Sequence, residues 1–388
     1  MRLHKTLPAT VAVAALALGS HAAVAAPDLT ISGFGTAGYV ATNTNKGEFR
    51  ANGRQDKGAT KSGDWGADSR LGLQANVTFN DMFSAVGQLY ISRRDGDSSP
   101  EAEWLFVQAD VADWVSLRAG RMVLPAFMLS DFRHVGYAQH WLRTPVEVYG
   151  ALNTTSYDGV QAIFRHQLGG YHLTAQLSAG QIDDERIYGR IGGTLVENKE
   201  KSDAIYSANL SAERGDWTFR VSHTLKRDVE IGAAETVSLY GGLVTIREGT
   251  LHGRGDDHFT NVGIQYDNGS LLAMTEYVWR RWDVRKNIGG EYDSDAFYVT
   301  AGYRFGPVMP YLTYSQLDPL GEGYSYGTDV RKTKAVGVRW DIMRNLAFKA
   351  QYEEVSGGQG DQMMPFSDAF RDAKPKVRVY SASLDFIF

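Results

Sequence analysis

Basic side chains recur at the polar positions of a two-residue alternation: Arg70, Arg118, Arg165, Arg220, Arg280, Arg304, Arg339 and Lys349. Asp110, Glu276, Glu353 and Asp385 hold equivalent positions, so cations outnumber carboxylates on that face. Guanidinium groups gathered along one face attract anions by their field and need no bond-making partner. Bond-making chemistry has little support. The chain has no cysteine, which removes thiolate nucleophiles, thiolate zinc sites and disulfides. No Ser/His/Asp spacing stands out among the nine histidines. His223 falls on the apolar face of its segment, between Val221 and Leu225, with no second ligand at metal spacing. No metal or other cofactor is therefore expected. Gly33-x-Gly35-x-x-Gly38 matches a dinucleotide fingerprint, which requires a helix directly after it. A polar stretch, 43–66, follows instead. Small residues packing against a neighbouring strand explain these glycines better.

The elements that carry the basic residues read as strands. Leu71, Leu73, Ala75, Val77 and Phe79 alternate with polar or small residues, as do Leu346, Phe348, Ala350 and Tyr352. Seven connections are very short, around Asn80-Asp81, Asp113, Gly169-Gly170, Gly215-Asp216, Asn268-Gly269, Pro307 and Arg344-Asn345. Between them lie eight longer polar segments, roughly 42–67, 95–100, 123–155, 182–202, 227–255, 282–293, 317–331 and 357–374. Short and long connections alternate, which predicts sixteen antiparallel strands closed into a transmembrane barrel. Phe79, Phe83, Trp114, Trp217, Tyr266, Phe305 and Phe348 flank the short turns, where an interfacial girdle belongs.

Composition agrees. The 388 residues are 22% charged with a net charge of −5, which argues against a nucleic-acid partner. Arg2, His4 and Lys5 precede an apolar run from Ala9 to Leu18 and then Ala23-Val24-Ala25, the pattern of a cleaved signal peptide over 1–25. The barrel is expected over 26–388. No apolar run long enough for a membrane helix follows.

The last segment, Tyr380 to Phe388, is apolar at every second place and ends in phenylalanine. It resembles the C-terminal assembly signal of Gram-negative outer-membrane proteins, with Tyr380, Leu384, Phe386 and Phe388 as the residues that the barrel assembly machinery would read. The rest of the chain resembles the sixteen-stranded porins. Ser69-Arg70-Leu71-Gly72-Leu73 is similar to their arginine-bearing strand, and Leu117-Arg118-Ala119-Gly120-Arg121 to the strand that enters their long third loop. The resemblance implies a third loop, here about Val123 to Thr155, folded into the lumen to set its narrowest part. It also implies a homotrimer in outer-membrane lipid and lipopolysaccharide. Arg121 matches the pattern, yet simple alternation points it outward, so a bulge is needed to bring it into the pore.

On this reading Asp131 and Glu147 of the third loop oppose an arginine wall in which Arg70 and Arg118 lead. The expected function is passive passage of small hydrophilic solutes with a preference for anions, without chemistry. A substrate-specific channel for anionic nutrients stays open as an alternative, as does an outer-membrane enzyme or adhesin on the same scaffold.

Overall fold

The computed structural model describes residues 27–94, 98, 100–152, 154–191, 194–239, 244–287, 293–320, 330–357 and 376–388. The leader expected over 1–25, and parts of the segments expected at 95–100, 317–331 and 357–374, lie outside the described residues. Strands run in chain order as β1 (Asp28–Thr42), β2 (Arg70–Thr78), β3 (Phe83–Ser92), β4 (Glu101–Ala112), β5 (Val115–Val123) and β6 (Ser156–Leu168). Next come β7 (Tyr171–Ile191), β8 (Thr194–Arg214), β9 (Trp217–Ala233), a small hairpin of β10 (Val237–Leu239) and β11 (Val244–Ile246), and β12 (Leu251–Asp267). The chain finishes with β13 (Leu271–Asn287), β14 (Ser294–Tyr303), β15 (Val308–Pro319), β16 (Arg331–Met343), β17 (Leu346–Ser356) and β18 (Lys376–Ile387).

All strands except β10 and β11 form one closed antiparallel barrel, which β1 and β18 complete in register from Phe34↔Ile387 to Thr42↔Val379. Closure leaves no unpaired strand edge, the condition for placing strands in hydrocarbon. The outer face is apolar: Leu71, Leu105, Val160, Leu177, Leu312 and Val336 are all exposed on it. On β9 the outward series Trp217, Phe219, Val221, His223 and Leu225 ends at Arg227, which pairs with Asp256 at 3.2 Å. That series matches an apolar band of about 25 Å. Trp217 lies beside Tyr266 at the short-turn end, with ring centroids 4.8 Å apart.

Of two segments expected as long connections, 182–202 is almost wholly ladder, and 227–255 is ladder at both ends with a connection over 234–250. β7 and β8 have 21 residues each, running through a stretch where the sequence predicts a long connection. β9, β12 and β13 have 17 residues each and also outrun the ~9–11 needed to cross a bilayer. Above the apolar band the outward face no longer meets lipid, so outward hydrophobic alternation ends while backbone pairing continues; the inner face stays packed, with Val229 0% and Trp282 4% exposed.

Gly33 and Gly35 resolve the glycine motif. A Cβ on Gly33 would lie 2.3 Å from the Phe388 ring, and one on Gly35 would lie 2.4 Å from the Phe386 ring. The two glycines leave the outer face of β1 bare so that the terminal aromatic residues of the chain can lie across it. Gly33→Leu and Gly35→Leu are each expected to lower the yield of folded barrel, read as loss of the heat-modifiable band on gels. A surface change such as Gly87→Leu, where a Cβ meets nothing closer than 3.8 Å, should leave that yield intact.

Candidate functional site

The barrel is filled by residues 124–155, which follow β5 and fold inside it. This third loop carries short helical turns at Ser130–Phe132, Gly136–Ala138 and Val146–Tyr149. Its apolar residues form a core with inward residues of the barrel: Phe127 stacks on Tyr149 at 4.6 Å and meets Phe259 edge-on at 5.2 Å. Trp141 stands perpendicular to Tyr298 at 5.5 Å. The loop descends to the opposite rim, where the Tyr137 hydroxyl donates to the carbonyl of Arg344 in a short turn.

Polar groups fix it to the barrel wall. Glu147 is fully buried and accepts from Arg331 (2.7 Å), Ser315 (2.6 Å) and Thr333 (2.6 Å). Glu276, also fully buried, accepts from the Met128 amide (2.9 Å) and the Tyr149 hydroxyl (2.6 Å). Arg280 chelates Asp257 and donates to the Ala151 carbonyl at 3.0 Å. Lys349 donates to the carbonyls of Gly136 (2.7 Å) and Trp141 (2.8 Å). Arg339 donates to those of Tyr137 and Gln139, both at 2.7 Å. Arg220 reaches the Met128 and Pro125 carbonyls at 3.3 Å. Arg143 joins Asp68 (2.6 Å), Glu353 and Ser381 (2.6 Å). Gly136 must be glycine, because a Cβ there would lie 2.1 Å from a carboxylate oxygen of Asp385.

Most of the attachment lies on β8 to β18, and on the other side His134 contacts Glu103 of β4 at 3.0 Å and lies against the Tyr90 ring of β3. Asn261, Glu276, Thr300, Lys349 and Asp385, inward on β12 to β18, are all 0% exposed. On β2 to β7 the inward residues Gln74, Gln108, Asp110, Arg118, Arg165 and Gln176 all keep access to solvent. Arg118 lies 4.7 Å from the Phe106 ring and donates to Gln108 at 2.7 Å. Arg165 donates to Ser116, near the short-turn end. Asp131, half-buried on the loop, interacts electrostatically with Arg118 and Arg220 and forms no ion pair among the described residues. Arg54, Arg70, Arg94, Arg133, Arg143 and His134 line a cavity of about 70 Å³ between the first and third loops. Arg94 pairs with Glu101 and Glu103, and Arg54 with Glu101. Two nitrogens of Arg70, Nε and Nη2, are buried with no hydrogen-bond partner among the described residues.

Several expected pore residues stand elsewhere. Arg121 is on the outer face with Leu117 and Ala119: pairing from Leu117 to Arg121 is unbroken, so no bulge turns it inward, and it chelates Asp158 at 2.6 and 2.8 Å. Glu147 does not face the arginines across the opening; it is an anchor beneath the loop. Glu276, Arg280 and Lys349 are inward but covered. Arg304 pairs with Asp267 at the short-turn rim. Sequence reasoning missed Arg143, Arg331 and Asp68. Arg331 lies at an inward place of its strand, but parity carries no mark of what covers it.

A family model described as Gram-negative porin matches residues 9–363. No curated protein sequence matches. Among solved structures the fold is similar to the trimer form of in-vitro folded OmpT, an outer membrane protein of Vibrio cholerae, with TM-score 0.58, 14% identity, and coverage of 94% of this chain and 100% of that one. It is similar also to the anion-selective porin from Comamonas acidovorans, with TM-score 0.56, 11% identity, and coverage of 93% and 100%. Salmonella typhi OmpF, in complex with daunomycin, gives TM-score 0.57 at 12% identity and covers 93% and 98%. With a closed barrel narrowed by its own third loop and a family match over most of its length, the chain belongs to the Gram-negative porins of the outer membrane.

Proposed function

We propose that the protein is a passive, anion-preferring diffusion channel for small hydrophilic solutes, that it performs no bond chemistry, and that it works as a homotrimer. One observation carries the anion preference. The acids on the covered side are tied up in loop attachments, whereas the wet side presents Arg118 and Arg165, with Arg70 at the cavity between the first and third loops, against Asp110 and Asp131. An excess of fixed cations along a narrow aqueous path lowers the energy of an anion there more than that of a cation. The trimer rests on likeness to the trimer form of OmpT. A removed leader over 1–25 and an outward-facing signal at Tyr380, Leu384, Phe386 and Phe388, read by the assembly machinery, complete the proposal.

Reversal potentials in a salt gradient across a planar bilayer test it. The parent should favour chloride over potassium. Arg70→Gln with Arg118→Gln should lower that ratio by about two- to threefold, and Asp131→Asn should raise it. A cation-selective parent would sink the reading. The buried nitrogens of Arg70 favour a second reading, a saturable site for a small carboxylate or phosphate solute. Flux that saturates with solute concentration, in the parent and not in Arg70→Gln, would select it.

A further inference from the structure

Two histidines meet on the outer face. His223 on β9 pairs with Thr260 on β12, and His258 on β12 pairs with Leu225 on β9. Asp257 and Phe259 are buried on the inner face, so His258 between them points outward, as His223 does. The two are diagonal neighbours on one face of an antiparallel pair, where ring side chains of adjacent strands reach each other. Their ring centroids are 5.9 Å apart and their planes are inclined by 39°. They lie on either side of the β10–β11 hairpin, so spacing along the chain gives no sign of the pair. Strand pairing supplies the second imidazole that His223 lacks in the sequence.

The surroundings suit a shared ligand. Nδ1 of His223 lies 2.8 Å from the Thr260 hydroxyl, which orients the ring and leaves Nε2 for another partner. A metal ion holds imidazole nitrogen at ~2.0–2.1 Å, so two rings on one ion have centroids no more than about 6.5 Å apart. The pair falls within that reach. The cations nearby are engaged elsewhere: Arg281, opposite His258, with Asp295 at 2.7 Å, and Arg227 with Asp256 at 3.2 Å. Thr260 pairs in turn with Trp279, an outward indole of the kind that marks the membrane–water interface, so the rings stand where water can reach them. Among the described residues no third histidine, carboxylate or thiolate completes a closed set. Water therefore fills the remaining positions of any bound ion.

We propose that His223 and His258 form a two-imidazole site for a divalent transition metal, Cu2+ foremost, on the outer face of the barrel. Copper binds nitrogen ligands most tightly among the divalent first-row ions and accepts a tetragonal set of imidazole and water. The ion joins β9 to β12 just below the place where their ladder slips, between Gly255 and Asp257, beside Asp228 with its φ of 48°. It is a clamp on the strands that flank the β10–β11 hairpin, and it is separate from the pore.

Electron paramagnetic resonance of the detergent-extracted barrel, with one equivalent of Cu2+ alone as the probe, tests the site. The parent is expected to show coupling to two imidazole nitrogens. His223→Gln and His258→Gln should each lose one of them and bind Cu2+ about a hundredfold more weakly, whereas Thr260→Val should keep both and bind about tenfold more weakly. Cu2+ should raise the unfolding temperature of the parent and not that of His223→Gln/His258→Gln. Conductance should be the same in all of them, since both rings face away from the lumen. A measurement on the parent alone covers the case of a variant that does not fold: Cu2+ should shield both rings from diethylpyrocarbonate, read by peptide mass spectrometry. Two-nitrogen coupling that survives in His223→Gln/His258→Gln would place the ion elsewhere and overturn the proposal. So would single variants that bind as tightly as the parent, or rings modified equally with and without Cu2+.

Discussion

Arg143→Met is expected to release the third loop, raise single-channel conductance and cost the barrel about 3–5 kcal/mol. Arg143 is 5% exposed and bridges the end of the first loop at Asp68, β17 at Glu353 and β18 at Ser381. Burial by itself would lower its pKa, but Asp68 and Glu353 override that and raise it, so the guanidinium is a fixed charge. Methionine fills part of the space and leaves two carboxylates in a covered site without their counter-charge. That loss, more than the missing attraction, sets the cost. Asp68→Asn/Glu353→Gln added to Arg143→Met should recover much of the stability while conductance stays high, because neutral groups no longer repel each other yet do not hold the loop. Thermal unfolding and bilayer recordings read the two effects separately. Unchanged conductance in Arg143→Met would mean that the other attachments hold the loop without it.

The sequence made the barrel legible because lipid imposes a pattern that water does not. All seven short turns fall where glycine, asparagine, aspartate or proline breaks the alternation, and the outward face of the last segment carries Tyr380, Leu384, Phe386 and Phe388 as expected. Legibility stops where the lipid stops. Segment 182–202 and the two ends of 227–255 look like loops because the outward face of β7, β8, β9 and β12 is polar above the membrane, although the ladder continues to Ala233 and resumes at Leu251. Inside the barrel, parity tells which residues point inward but not what covers them. Arg118 and Lys349 are both inward; one is wet and the other lies beneath loop carbonyls. The attachment depends on where residues 124–155 settle, which is a matter of long-range packing. Arg121 shows the reverse case, in which period-two phasing was right and the family pattern misled.

The loop attachment also bears on acid sensitivity. His134 and His140, both on the third loop, are pushed down to about 4 by burial. Around His134, Glu103 opposes that shift and Arg94 and Arg133 add to it; around His140, Asp267 opposes it and Arg304, Arg339 and Lys349 add to it. Histidines held neutral in this way take up protons on release from the fold. The attachment therefore weakens as pH falls from the ordinary histidine value of 6.5 toward 4. Glu147 works in a lower window. Burial alone would raise its pKa, but Arg331, Ser315 and Thr333 lower it overall, so its contribution is complete above its ordinary 4.5 and is lost only on further acidification.

Glu147→Gln should therefore loosen the loop even at neutral pH, because the buried Arg331 guanidinium loses the Glu147 carboxylate. Current flicker from loop movement is the readout. In the parent it should begin below pH 6.5 through the histidines and steepen below 4.5 through Glu147. In Glu147→Gln it should be present at about pH 7, still grow between 6.5 and 4, and lack the second rise. Glu147→Leu with Arg331→Met replaces the ion pair by apolar groups and should restore a quieter channel at neutral pH, since breaking a buried pair from one side disturbs the fold more than replacing both partners. If Glu147→Gln is as quiet as the parent at neutral pH, then Glu276, Arg280, Lys349 and Arg143 hold the loop by themselves, and the Val146–Tyr149 turn is only a passenger on it.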